Sequence, residues 1–247
     1  MQPNNYSWFD LNFPWIGGVA GVVMLILLFV TRILQNNQTI PKCKDITWLS
    51  WLGVTAYLIH NIEEYGIDLY GHVHAFPEQF CATVAKALGV VKCNVPPAFY
   101  LAVNITLFWV IAPLSAFLSS RHPLVGLAIY SIIFINGLIH ILPMLKGEVY
   151  GPGSLTAITI FLPLSIWVGY ACFGHRKLPF SAMILLIILS LVLHASLVGS
   201  MAAFLKGNIS DDRLIAIQII NAILFLAIPL IAEKWWHIDK ISTLSPE

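Results

Sequence analysis

Charge is what this sequence has least of. Only 10% of its 247 residues are Asp, Glu, Lys or Arg, against roughly 25% in soluble domains. That scarcity excludes an ordinary soluble domain. Basic and acidic residues nearly balance, 13 against 12, for a net charge of +1. No basic face for nucleic acid is therefore expected. The first residues, Met1-Gln2-Pro3-Asn4-Asn5, carry no cationic stretch, and no small-residue cleavage site follows the first apolar run. A cleavable signal peptide is not expected, and that run is read as a membrane span. No convincing internal repeat is present.

Apolar residues are what there is: 58% of the chain, with a mean hydropathy of +0.82. A membrane-crossing helix needs about 20 of them in a row. Seven segments qualify: Trp15 to Leu34, Ile46 to Tyr65, Pro97 to Leu118, Pro123 to Leu145, Ser154 to Phe173, Phe180 to Leu205 and Leu214 to Ile231. Barrel strands would be shorter and would alternate. The expectation is an all-α polytopic membrane bundle of about seven transmembrane helices, one integral domain over residues 1–247, in the cell membrane.

Lys and Arg set the orientation of such a bundle. Arg32, Lys42, Lys44, Arg121, Arg176, Lys177, Lys234 and Lys240 fall on one side; Lys86, Lys92, Lys146, Lys206 and Arg213 fall on the other. The first side is expected to be cytoplasmic and the N-terminus extracytoplasmic. The longest connection, Gly66 to Pro96, is then outside. It holds Cys81 and Cys93, which an oxidising compartment would let pair. A disulfide and two free thiols both fit the sequence.

Against this background stands His60-Asn61-Ile62-Glu63-Glu64. A charge in a membrane helix costs at least about 2.5–3.5 kcal/mol at its centre, and less near its end. His60 and Glu64 lie about 40° apart around a helix, with Glu63 about 60° away on the other flank. Other spans place polar residues at the same depth. They are Asn104, Asn136, His140, Thr156, His194, Gln218 and Asn221. The opposite halves of the spans hold few such groups, so one shared pocket is expected. His60, Glu63, Glu64, Asn136 and His140 are the candidate catalytic residues. His194, Asn221, Tyr150 and Asn104 are the candidate substrate contacts. Carboxylates solvated at the membrane interface, and Asn side chains bonding helix to helix, are the plainer alternatives.

Between the fourth and fifth spans lies Tyr150-Gly151-Pro152-Gly153-Ser154. Pro-Gly predicts a tight turn and Ser154 an N-cap. The N–H groups of the following helix would then face the same layer, where they suit an anionic group.

Taken together, the pentapeptide, Asn136-Gly137-Leu138-Ile139-His140, Tyr150-Gly151-Pro152-Gly153 and Thr156-Ala157 resemble the HXXEE-motif membrane protein family, roughly from Trp48 to Tyr170. The resemblance implies a polytopic bundle. It implies no reaction, because the family is one of unknown function.

Three functional classes fit these residues. In a membrane-embedded enzyme, His and Glu would supply acid–base chemistry on a membrane lipid or lipid-soluble small molecule. In a metal-assisted version, His60, Glu63 or Glu64, His140 and His194 would supply N and O ligands, though not at the His-Glu-x-x-His spacing. A small proton-coupled transporter is the second class and a structural membrane subunit the third. The enzyme is preferred, because the other halves of the spans lack a polar path. The sequence names no cofactor, no substrate and no oligomeric state.

Overall fold

The computed structural model describes residues 6–145, 147, 150–175 and 177–236. Of the charges used for orientation, Lys146, Arg176 and Lys240 lie outside the described residues.

Eight helices carry the described chain. We label them α1 (Trp8–Val30), α2 (Ile46–Asn61, running on into a π-helical turn, Ile62–Gly66), α3 (Ala75–Leu88), α4 (Pro97–Leu118), α5 (Pro123–Leu145), α6 (Ser154–Cys172), α7 (Phe180–Leu205) and α8 (Asp211–Trp236). Among the described residues there is no strand, only two isolated bridges. Helices α1, α4, α5, α6, α7 and α8 are long and apolar enough to cross a membrane. The protein is a polytopic all-α bundle. The seventh expected span is α2, whose 16 α-helical residues reach membrane-spanning length only with the 5 of its π turn.

Two of the differences from the expected elements have plain physical reasons. A capping box starts α1 seven residues before Trp15: the Asp10 N–H donates to Ser7 Oγ (3.2 Å), and the Ser7 N–H donates to the Asp10 carboxylate (2.6 Å). The pairing satisfies two donors that a helix start leaves open. The connection Gly66 to Pro96 is not simply a loop, because α3 occupies half of it. Phe76, Phe80 and Val84, spaced by four, turn one side of α3 toward the bundle. Cys81 of α3 and Cys93 are paired, with Cα atoms 5.8 Å apart, inside the span a disulfide allows.

The core sits on α2 and α5. Within its most apolar stretch α5 is 72% buried, against 22–33% for the other long helices. Those keep one face for lipid. Apolar burial gives helices little reason to associate in a membrane, so close packing and hydrogen bonds must hold them. Gly53 lets α2 and α5 approach, since a Cβ there would meet Ile129 Cγ2 at 2.6 Å. The Tyr130 hydroxyl of α5 donates to the Leu49 carbonyl of α2 (2.7 Å). Asp45 caps α2, accepting from the Trp48 N–H (2.8 Å). Helix α2 is thus anchored at one end, and its other end, His60 to Gly66, is carried into the bundle.

Candidate functional site

Three π-helical segments interrupt the spans: Ile62–Gly66 in α2, Asn104–Ile111 in α4 and Ala157–Phe161 in α6. All three border one layer. The His60 ring lies 4.2 Å from Phe161, and Tyr57 is stacked between helices on Phe108. Widened turns of this kind recur at functional sites because they re-aim side chains. Here the turn sends two adjacent carboxylates to different partners.

Glu63 goes to the start of α6. Its Oε1 accepts from the Leu155 N–H (2.9 Å) and the Tyr150 hydroxyl (2.6 Å); its Oε2 accepts from the Thr156 N–H (2.7 Å) and the Thr156 hydroxyl (2.5 Å). A carboxylate from a distant helix therefore satisfies the first amides of α6, where its charge also meets the positive end of the helix dipole. Hydrogen bonds to a charged group are worth roughly 1.5–3 kcal/mol each, which offsets burying Glu63. Two expectations are corrected. The N-cap is Gly153, not Ser154; the Ser154 hydroxyl donates instead to the His140 carbonyl (3.1 Å). And the Leu155 and Thr156 amides are not open to a substrate anion, because Glu63 already occupies them.

Tyr150 links this cap to the connection above it, accepting from the Leu69 N–H (3.0 Å) while donating to Glu63. Burial and the neighbouring Glu63 carboxylate both hold its phenol well above the usual range. It stays a donor throughout the neutral range.

Glu64 turns the other way, between two imidazoles. Its Oε1 lies 3.0 Å from His140 Nε2 and 3.4 Å from His60 Nε2. The rings of His60 and His140 are 5.0 Å apart, edge to face. Exposure is 0% for His60, 3% for Glu64 and 7% for the His140 side chain. The other edge of His60 meets Thr156, with Nδ1 2.6 Å from the hydroxyl oxygen. With that hydroxyl's one hydrogen given to the Glu63 carboxylate (2.5 Å), His60 Nδ1 is assigned as the donor. In the neutral ring Nε2 then carries a lone pair, aimed at Glu64. Gly153 makes room for both rings: its φ is +91°, and a Cβ would stand 2.6 Å from the His140 ring and 2.9 Å from that of His60.

A cavity of about 410 Å³ opens beside this cluster. Seven of the nine candidate residues line it: Glu64, His140, Asn136, Asn104, Tyr150, His194 and Asn221. His60 and Glu63 stand behind the wall and hold it in place. His194 donates Nδ1–H to the Ser190 carbonyl (2.8 Å). The Asn136 amide nitrogen reaches the Tyr57 hydroxyl (3.3 Å), and Asn104 bonds its own helix at the Tyr100 carbonyl (2.9 Å). Asn221 is tied to Ser196 (3.0 Å) and Gln218 (3.2 Å), bonding α7 to α8 as intramembrane amides often do.

Sequence reasoning missed four contributors. Phe76 and Phe80 of α3 roof the cavity, and their spacing was the available signal. Tyr57 forms a wall three residues before His60, about one helical turn away, and a tyrosine in an apolar span gives no signal of its own. Gly153 shows its importance only once both rings are placed around it.

No curated protein and no solved structure matches the chain. The resemblance seen in the sequence is borne out where the site lies: residues 51–168, from α2 through most of α6, match the model of a family described as protein of unknown function with HXXEE motif.

Proposed function

We propose that this protein is a membrane-embedded enzyme that works on a lipid-soluble molecule held in the cavity beside Glu64 and His140. One observation carries the reading. A carboxylate with two imidazoles against one of its oxygens borders a cavity whose walls are mainly aromatic and aliphatic. Pockets with apolar walls and a few convergent polar groups are where small ligands bind. Glu64 and His140 would exchange a proton with the bound molecule, and proton transfer by a positioned group contributes about 10²–10⁴-fold. Tyr57, Asn136 and His194 would orient it.

The test is turnover. Full-length protein in vesicles is incubated with a membrane lipid extract, and the lipids are compared by mass spectrometry before and after. We expect one lipid class to be converted, and Glu64→Gln to stop the conversion. An unchanged lipid profile with folded wild-type protein would overturn the reading.

We further place the protein in the cell membrane with its N-terminus and its cavity on the extracytoplasmic side. The Lys and Arg bias supports this, and so does the disulfide geometry of Cys81 and Cys93 in the 66–96 connection. A single cysteine introduced at Lys177 should be reached by an impermeant thiol reagent only after the cells are opened; labelling in intact cells would reverse the orientation.

A further inference from the structure

Two carboxylates, Glu63 and Glu64, are buried side by side at 6% and 3% exposure. Among the described residues neither forms an ion pair with Lys or Arg; the partners of Glu64 are imidazoles. Glu63 is satisfied by the cap of α6. Glu64 is left facing His60 Nε2, which has no hydrogen-bond partner. With the hydrogen of a neutral His60 assigned to Nδ1, a lone pair points at a carboxylate oxygen 3.4 Å away. Two electron-rich atoms so placed need a proton or a metal cation between them.

We infer that His60 Nε2, His140 Nε2 and the Glu64 carboxylate bind one divalent transition-metal ion of the Zn²⁺ type. The donor atoms all lie within 4.8 Å of one another. Ligands about 2.0–2.2 Å from a tetrahedral Zn²⁺ stand roughly 3.3–3.5 Å apart. The separations of 3.4 Å and 3.0 Å about Glu64 Oε1 are close to that spacing. Two imidazoles and one carboxylate form the donor set of zinc centres that keep a coordination position open for chemistry. Here that position faces the cavity, since Glu64 and His140 line it.

The surroundings fit the same assignment. A metal-binding His commonly donates its other N–H outward, and that bond fixes the ring. His60 donates to Thr156, which donates to Glu63. Glu63 is thereby a positioning residue, one hydroxyl removed from the ligand. The absence of a side chain at Gly153 lets both rings close on one point. A +2 ion also balances the two buried carboxylates. His194, considered as a further ligand from sequence, lines the cavity outside this trio.

This inference rests on the enzyme reading of the same cavity but changes the work of Glu64 and His140. As ligands they would hold the metal rather than exchange a proton themselves. Its test does not depend on turnover. Full-length protein in detergent is stripped with a chelator and titrated with Co²⁺, whose visible absorption reports coordination, and then with Zn²⁺ in competition. We expect one Co²⁺ per chain, displaced by Zn²⁺. His60→Ala, His140→Ala and Glu64→Gln should each weaken binding at least about 100-fold, and Thr156→Val about 10–100-fold, the usual cost of losing an outer-shell partner. Glu233→Gln, far from the cluster, should bind as wild type does. Folding of each variant is checked by its melting profile. Should the ligand variants not fold, elemental analysis of the untreated wild-type protein decides, with about one metal per chain expected. Wild-type protein that takes up no Co²⁺ and carries no metal, or ligand variants that bind normally, would overturn the inference. Lipid turnover without metal would remove the metal and leave the enzyme; metal without turnover would do the reverse.

Discussion

The two ends of the bundle each bury glutamate beside histidine, but of these two clusters only the one around Glu64 borders the cavity. At the end away from the 66–96 connection, Glu233 of α8 caps the start of α5. Its Oε1 accepts from the N–H groups of Leu124 (2.6 Å) and Val125 (3.4 Å), and its Oε2 pairs with His122 Nδ1 (2.7 Å). At the other end Glu63 does the same for α6. Both carboxylates are taken up by backbone amides and neighbouring side chains, so they cap helices and fix the groups they touch. Glu64 differs in having no amide to satisfy. It keeps two imidazoles and a cavity instead. A buried charge is therefore a weak sign of function until its hydrogen bonds have been followed to their partners.

Neutralising the two kinds of glutamate should have opposite effects. Glu64→Gln should lower lipid turnover by about 10²-fold or more, the usual worth of a positioned proton-transfer group, with little change in melting temperature. Glu233→Gln should do the opposite. It weakens charged bonds to two amides and to His122, and should cost about 1–3 kcal/mol of stability with turnover unchanged. Equal loss of turnover in both variants would erase the distinction drawn between them.

Gly153→Ala comes next. The added methyl meets both rings below 3.0 Å, and the positive φ adds strain of about 1 kcal/mol or more. Turnover should fall about tenfold, more than the modest loss of stability would account for. Normal turnover would show that ring placement is not set by this glycine.

Glu63→Ala should act on both quantities. It leaves the Leu155 and Thr156 amides and two hydroxyls without their acceptor, at about 1–3 kcal/mol for a buried unsatisfied group. It also frees Thr156 to accept or donate at will, which releases the His60 tautomer. We expect a lower melting temperature together with a shifted pH profile of turnover. A stability loss with an unmoved profile would make Glu63 a cap and nothing more.

The smallest effect concerns the short turn above the site. The Asp68 carboxylate accepts from the N–H groups of Tyr70 (2.9 Å) and His72 (2.8 Å), and from the His72 ring (3.1 Å). Burial acts to raise its pKa, but the bonds from His72 and Tyr70 prevail and hold it below the usual carboxylate value. A depressed folded pKa means that the carboxylate stabilises the turn above the unfolded value near 3.9 and stops doing so as pH falls through the folded one. Amide exchange at Tyr70 and His72, corrected for its intrinsic pH dependence, should become faster only below about pH 4. Asp68→Asn should remove that transition.

Much of the fold was legible in the sequence because lipid imposes a simple rule: a span must be long, apolar and helical. Phe180 to Leu205 needed nothing else, and its observed limits are those expected. The common depth of His60, Glu64, His140, Asn136 and His194 was legible for the same reason, since polar residues are costly there and stand out. Depth along a helix follows from counting residues. Direction around the helix does not, once a π turn such as Ile62–Gly66 breaks the 100° step. For that reason the sequence could group Glu63 with Glu64 but could not separate their work. The different partners of adjacent carboxylates, the amides of α6 already taken, the α3 roof over the cavity and the space kept by Gly153 depend on contacts between residues distant in the chain. Only the packed structure decided those, because a hydrogen bond is settled by where both of its partners end up.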